Sequence, residues 1–300
     1  MARQLKVLAE GFSFLEGPRW HEGRLYCSDF YTQRVLCVSP DGSVETVVGV
    51  PNQPSGLGWL PDGTMLIVSM KDRKLLRLVG GKLIEHADLS DLAPSHLNDM
   101  VVDEQGRAWV GNFGSDILSH EPMRSTNFIR VDPDGSATVV AEDMVFPNGV
   151  VITPDGGTLI VAETLGNRIA AFDITADGAL TNRREFARFG DLPTTDDLHK
   201  AIEGGQLVVA PDGMTLDAEG AVWAADALGA RAVRVAGGEI VDEVSTAELG
   251  LGVFSCALGG DDGRTLHLMA APTFDQEACK ASHKAAIITT TVDVPHAGLP

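Results

Sequence analysis

Three hundred residues, 44% hydrophobic and 22% charged, make an ordinary globular composition with enough apolar material for a substantial core. Twenty-three basic against 42 acidic side chains leave a net charge of −19, which repels phosphate backbones and anionic lipid and argues against nucleic-acid and membrane-surface partners. No apolar run approaches the roughly 20 residues of a membrane helix, and the opening MARQLKVLAEG lacks the apolar stretch of a secretory signal.

The expectation is a soluble, cytoplasmic, acidic protein. Cys27, Cys37, Cys256 and Cys279 form no C-x-x-C pair and have no His at zinc spacing. Buried free thiols are expected, with a Cys27–Cys37 bridge left open if the two lie on neighbouring strands.

In chain order, short apolar runs recur at Leu25–Ser28, Met65–Ser69, Ala108–Gly111, Thr158–Ala162, Ala221–Ala224 and Thr265–Met269. Each has the length and the Val, Ile and Leu content of a strand. Pro-Asp-Gly at 40–42, 61–63, 133–135, 154–156 and 211–213 supplies the positive φ of tight turns. Helical periodicity is confined to 196–203, so the chain is predicted to be all-β.

The strands belong to a repeat. Segments of one form start at Glu16, Ser55, Asn98, Asn148, Asp212 and Ser255, spaced by 39, 43, 50, 64 and 43 residues. Units of roughly 40–50 residues, each with room for about four strands, match the blade of a propeller. The prediction is one six-bladed β-propeller domain over residues 1–300, closed by Leu5–Ala9 and Ala286–Val294 sharing the last blade.

In such a ring the starts of the innermost strands converge on the axis. All six anchors carry a side-chain oxygen. Two carboxylates and two carboxamides on one axis suit a hard cation such as Ca²⁺, whereas zinc favours His or Cys, which the ring lacks. A central metal site is therefore expected. The second strand of each unit ends beside the anchor, at Asp29, Ser69, Asn112, Glu163, Asp226 and Ala270. Asp29, Glu163 and Asp226 are expected to form a second shell that orients ligands or water.

LEGPRW (Leu15–Trp20), NDMVVDEQGRAWVGN (Asn98–Asn112), FPNGVVITPDG (Phe146–Gly156) and PDGMTLDAEGAVWAAD (Pro211–Asp226) together resemble the senescence marker protein-30/gluconolactonase/luciferin-regenerating-enzyme family. The resemblance implies a six-bladed propeller with a metal-dependent hydrolase activity, mainly towards lactones. It implies metal ligation by Glu16, Asn148 and Asp212, with Asn98 a further ligand or a substrate contact. Ca²⁺ leads, and Zn²⁺, Mn²⁺ and Mg²⁺ are also found in the family. The sequence departs from the pattern at Met100, where the family more often has Gly, and at His96, where sugar-lactone members place an arginine.

These features predict a metal-dependent lactonase in which Asp212 is the base or only a ligand. Phosphotriester hydrolysis or hydration at the same metal is the first alternative, and a non-catalytic binding propeller with structural calcium is the second. His96, Phe113, Phe146 and Phe254, beside the anchor and second-strand-end positions, are expected to join Asn98 in binding a substrate more apolar than a sugar lactone, with Phe30, next to Asp29, a further apolar neighbour. The insertion Gly114–Asn127, with Ile117, Leu118 and Met123, is expected to cover the channel mouth.

Overall fold

The computed structural model describes residues 3–300. Its strands pair into six four-stranded antiparallel sheets. The innermost strands are Leu15–His21, Pro54–Trp59, Leu97–Val102, Pro147–Ile152, Pro211–Leu216 and Gly252–Gly259. Each packs against the next round the ring, and the last packs against the first. This is the six-bladed propeller that the repeat predicts.

Five sheets come from consecutive segments. The sixth is shared: Lys6–Phe12 pairs antiparallel with Ala285–Thr291, with Val7 opposite Ile288. The two ends of the chain thus lock into one blade, with bounds displaced by one to three residues from those expected from sequence. The inner strands are buried along their length, as LNDMVV, PNGVVI and PDGMTL show. The outermost strands face water; LTNRREFAR carries charges along its exposed edge, which discourages pairing with another chain.

Two helices interrupt the strands. Helix α1 (Leu198–Glu203) falls where helical periodicity was expected, capped by Asp197 accepting from Lys200 N. Helix α2 (Gln276–Ser282) was not foreseen. Its Asp275 cap accepts from Ala278 N, and Cys279 is its one buried residue, so it carries almost no apolar period. No helix among the described residues is long and apolar enough to cross a membrane. The C-terminal tail crosses the end of the channel remote from these helices. Leu299 exchanges backbone hydrogen bonds with Ile152, and Ala297 N donates to Leu216 O.

All four cysteines are free and buried. Cys27 stands opposite Leu36, and Cys37 stands opposite Tyr26. A one-residue offset puts the two thiols on opposite faces of the sheet, so the bridge left open by the sequence does not form.

The last and first blades meet through His267, buried and stacked on Trp20 at a ring-centroid distance of 5.3 Å. Burial pushes its pKa down from 6.5 to about 4. The folded chain therefore holds this proton more weakly than the unfolded chain. Stability should be full above about pH 6.5 and fall as the pH drops towards 4, by up to about 3 kcal/mol. In urea titrations across that window, His267→Phe should flatten the fall; an unchanged slope would show that His267 does not cause it.

Candidate active site

The anchors converge because each inner strand is irregular where its anchor sits. Register shifts lie between Glu16 and Arg19, Pro54 and Leu57, Leu97 and Met100, Pro147 and Val150, Pro211 and Met214, and Val253 and Ser255. Such a bulge bends the strand and re-aims a side chain. Repeated round the ring, it brings Glu16, Asn98, Asn148 and Asp212 to the floor of one cavity. All four are nearly buried, at 8%, 5%, 5% and 6% exposure. The Asn148 amide donates to Asp212 Oδ1, and Asn98 Nδ2 donates to Pro147 O at 3.3 Å.

The electrostatics of the floor are unbalanced. Burial, followed by the charges of Asp212 and Asp99, pushes the Glu16 carboxyl well above the usual carboxylate range. Burial and Asp99 do the same to Asp212. The buried cation nearby, Arg19, is already committed: it pairs with Asp99 at 2.6 Å and donates to Leu57 O at 3.0 Å. Ser255, at the sixth anchor, is buried beside the Glu16 carboxyl. Side-chain oxygens, two of them buried carboxylates lacking a counter-charge, are a donor set that a hard divalent cation fits. Among the described residues no three His, Cys, Asp and Glu side chains gather, because two of the four donors are carboxamides.

Above the floor the walls are carbon. Phe30, Phe113, Phe146 and Phe254 line the cavity with Asn98, and so do Phe14 and Tyr31, Ile117 and Leu118 of the insertion, and Leu198 and Ile202 of α1. The cavity volume is about 120 Å³. Phe146 holds φ 57°, a costly conformation for a bulky residue and of the kind found at binding sites. Of the insertion, Ile117 and Leu118 line the cavity whereas Met123 does not; Met123 N donates to Asp196 O at 2.7 Å.

Two expectations need correction. His96 does not line the cavity: it lies just before the strand Leu97–Val102 begins, packs edge-on behind Phe113 at 5.7 Å, and stands 4.0 Å from Asp116. Asp29, Glu163 and Asp226 make no hydrogen bond to the floor donors. Each accepts from the backbone of the loop leading into the neighbouring inner strand: Asp29 from Ser13 N and Phe14 N, Glu163 from Val145 N, and Asp226 from Ala210 N, at 2.8–3.2 Å. Arg34, Arg168, Arg183 and Arg231 neutralise them. Their contribution is to fix the loops that carry the walls.

The aromatic and aliphatic walls were partly missed. Phe14 stands two residues before Glu16, as Phe146 does before Asn148, and that spacing was a usable signal. Leu198 and Ile202 share one face of α1 by their i, i+4 spacing. Phe274 precedes the unforeseen α2 and had no such pattern.

The SMP-30/gluconolactonase/LRE-like family model matches residues 14–272, and the chain belongs to that family. It is 29% identical to a pentonolactonase of Haloferax volcanii over 85% of this chain and 81% of that protein. It is 27% identical to a 6-deoxy-6-sulfogluconolactonase of Pseudomonas putida over 90% of this chain and 88% of that one. The fold is shared with regucalcin of Agrobacterium tumefaciens, a calcium-binding protein, at TM-score 0.77 and 21% identity, covering 100% of this chain and 97% of that one. A luciferin-regenerating enzyme matches at TM-score 0.78 and 19% identity, over 99% and 98% of the two chains.

Glycine follows the anchor at positions 17, 56, 149 and 213, and each of the four lies against the next inner strand. A Cβ on Gly149 would come within 2.6 Å of Met214 N and overlap the Asp212 carbonyl. Gly149→Ala should therefore cost about 1–3 kcal/mol and displace Asp212. Thermal melts, with a crystal structure of the variant, check both. Wild-type stability with Asp212 unmoved would show that the strands are not in forced contact.

Proposed function

We propose that the chain, as a single propeller domain, opens a lactone or related ester, with a divalent cation, calcium first, held by Glu16, Asn98, Asn148 and Asp212. The observation that carries this reading is the convergence of those four oxygen donors at the base of an apolar cavity. Membership of the family and the lactonase names of the Haloferax and Pseudomonas relatives support it. When bound, the cation supplies a Lewis acid that polarises the ester carbonyl and stabilises developing oxyanion charge.

The chain's own residues do the rest. The apolar walls exclude bulk water and hold the ring over the floor. Asp212, oriented by the Asn148 amide, accepts the proton of the attacking water. The substrate is more apolar than a sugar lactone. Above the floor, Thr164 and Tyr31 are the polar side chains that line the cavity, and each buried sugar hydroxyl left without a partner costs about 1–3 kcal/mol. kcat/KM for dihydrocoumarin should exceed that for gluconolactone under identical calcium; the reverse preference would remove the apolar-substrate reading.

Calcium at a hundredfold excess over its Kd should stabilise the fold by about 2.7 kcal/mol, seen as a rise of several degrees in Tm. Full activity of metal-free protein after exhaustive chelation would overturn the cation's role.

Two variants separate the floor residues. Asp212→Asn should lower kcat by at least about 100-fold while retaining most metal affinity, because an amide still offers one oxygen but takes no proton. Glu16→Gln should chiefly weaken the metal and recover at high calcium. If both variants recover alike at high calcium, Asp212 is a ligand and not the base.

A further inference from the structure

The cavity does not end beneath the insertion. Its wall continues from Leu198 and Ile202 to Leu228 and Phe274, which are 38% and 36% exposed. An unbroken apolar track thus runs from the buried floor to solvent. Both outer residues are fixed to the wall. Ala227, next to Leu228, donates its N–H to Ala210 O at 3.0 Å, and Phe274 meets Phe254 edge-on at 6.4 Å. No charged or amide side chain lines the track above the floor. The cavity, about 120 Å³, is of the order of the roughly 150 Å³ apolar cavity that takes a benzene ring, so it has room for a compact ring over the floor.

Resting on the reading that the floor opens lactones, we propose that the substrate is a small-ring lactone bearing a hydrocarbon chain. The ring sits over the four oxygens. The chain lies along Leu198 and Ile202 and leaves between Leu228 and Phe274. Burial of the chain supplies binding energy that a polyhydroxylated ring would have to draw from hydrogen bonds, and the wall has few to offer.

The test uses a series of γ-lactones with n-alkyl chains of increasing length, alongside the matching γ-lactams, which keep ring and chain but resist hydrolysis. With calcium present, lactam affinity by calorimetry and lactone kcat/KM should both rise by about fourfold per methylene buried, then level once the chain passes the mouth. The double variant Leu228→Ser, Phe274→Ser should lower the long-to-short affinity ratio by about tenfold, with levelling at a shorter chain. A flat or falling dependence on chain length, or an unchanged ratio in the double variant, overturns the proposal. Lactams that bind more tightly with chain length while no lactone is turned over would uphold the chain track and overturn the hydrolytic reading. Turnover with no chain-length dependence would do the opposite.

Discussion

Six inner strands have to approach one axis closely enough to touch, and most of what distinguishes this protein follows from that contact. Side chains directed sideways at the axis would collide, so glycine occupies the position after four of the anchors. The Cβ that Gly213 lacks would overlap Ser255. The strands gain room by bulging at the anchors, and the same bulges aim the anchor side chains into one small volume. Convergence of the oxygens is thus a consequence of how the ring closes. Any cation at the floor would meet donors held in place by the whole barrel of inner strands, with little left to reorganise.

That geometry has an electrostatic cost. Glu16 and Asp212 are drawn out of water together, and the one buried guanidinium beside them is spent on Asp99. An unpaired buried carboxylate is among the more unfavourable groups a fold can carry. Without positive charge the protein can lessen the penalty by holding protons, which is the direction in which both carboxyls are pushed. A divalent cation would relieve it better, and the net charge of −19 favours cation approach from a distance. The contrast with Asp29, Glu163 and Asp226 is informative. Each of those is nearly or wholly buried, yet each has an arginine and backbone N–H groups as partners. Carboxylates neutralised by an arginine hold loops; those without a counter-charge mark the site.

The same contrast explains what could be read from sequence. Turn residues and strand spacing locate a residue along a blade, and that sufficed to set Glu16, Asn98, Asn148 and Asp212 on a common ring. Spacing does not say which way a side chain turns at a strand end. Spacing therefore places Asp29, Glu163 and Asp226 along the blade but does not identify the loop backbone and arginines they bond. His96 failed for a related reason: it lies outside the strand whose alternation would have fixed its direction. Helix α2, with one buried residue, and the tail from Pro295, joined through isolated bridges, have no period to detect. Their places are set by contacts far away in sequence.

Floor and walls therefore answer to different constraints. The floor is built from inner strands whose contacts leave no freedom even for a methyl group at Gly149 or Gly213. The walls are built from connections between strands, where added length costs little because loop-closure entropy grows slowly with length. The two longest spacings in the repeat, 50 and 64 residues, contain the insertion with Ile117 and Leu118 and the helix with Leu198 and Ile202. The extra residues of this chain thus add Ile117, Leu118, Leu198 and Ile202 to the cavity's apolar lining. The carboxylates at the ends of the second strands join the two systems, because Phe14, Phe146 and Ala210 of the wall stand on or beside the loops that Asp29, Glu163 and Asp226 hold. A change of lining in those connections alters what the cavity accepts while the four oxygens stay where the ring puts them. Chemistry and selectivity can then vary independently on one scaffold.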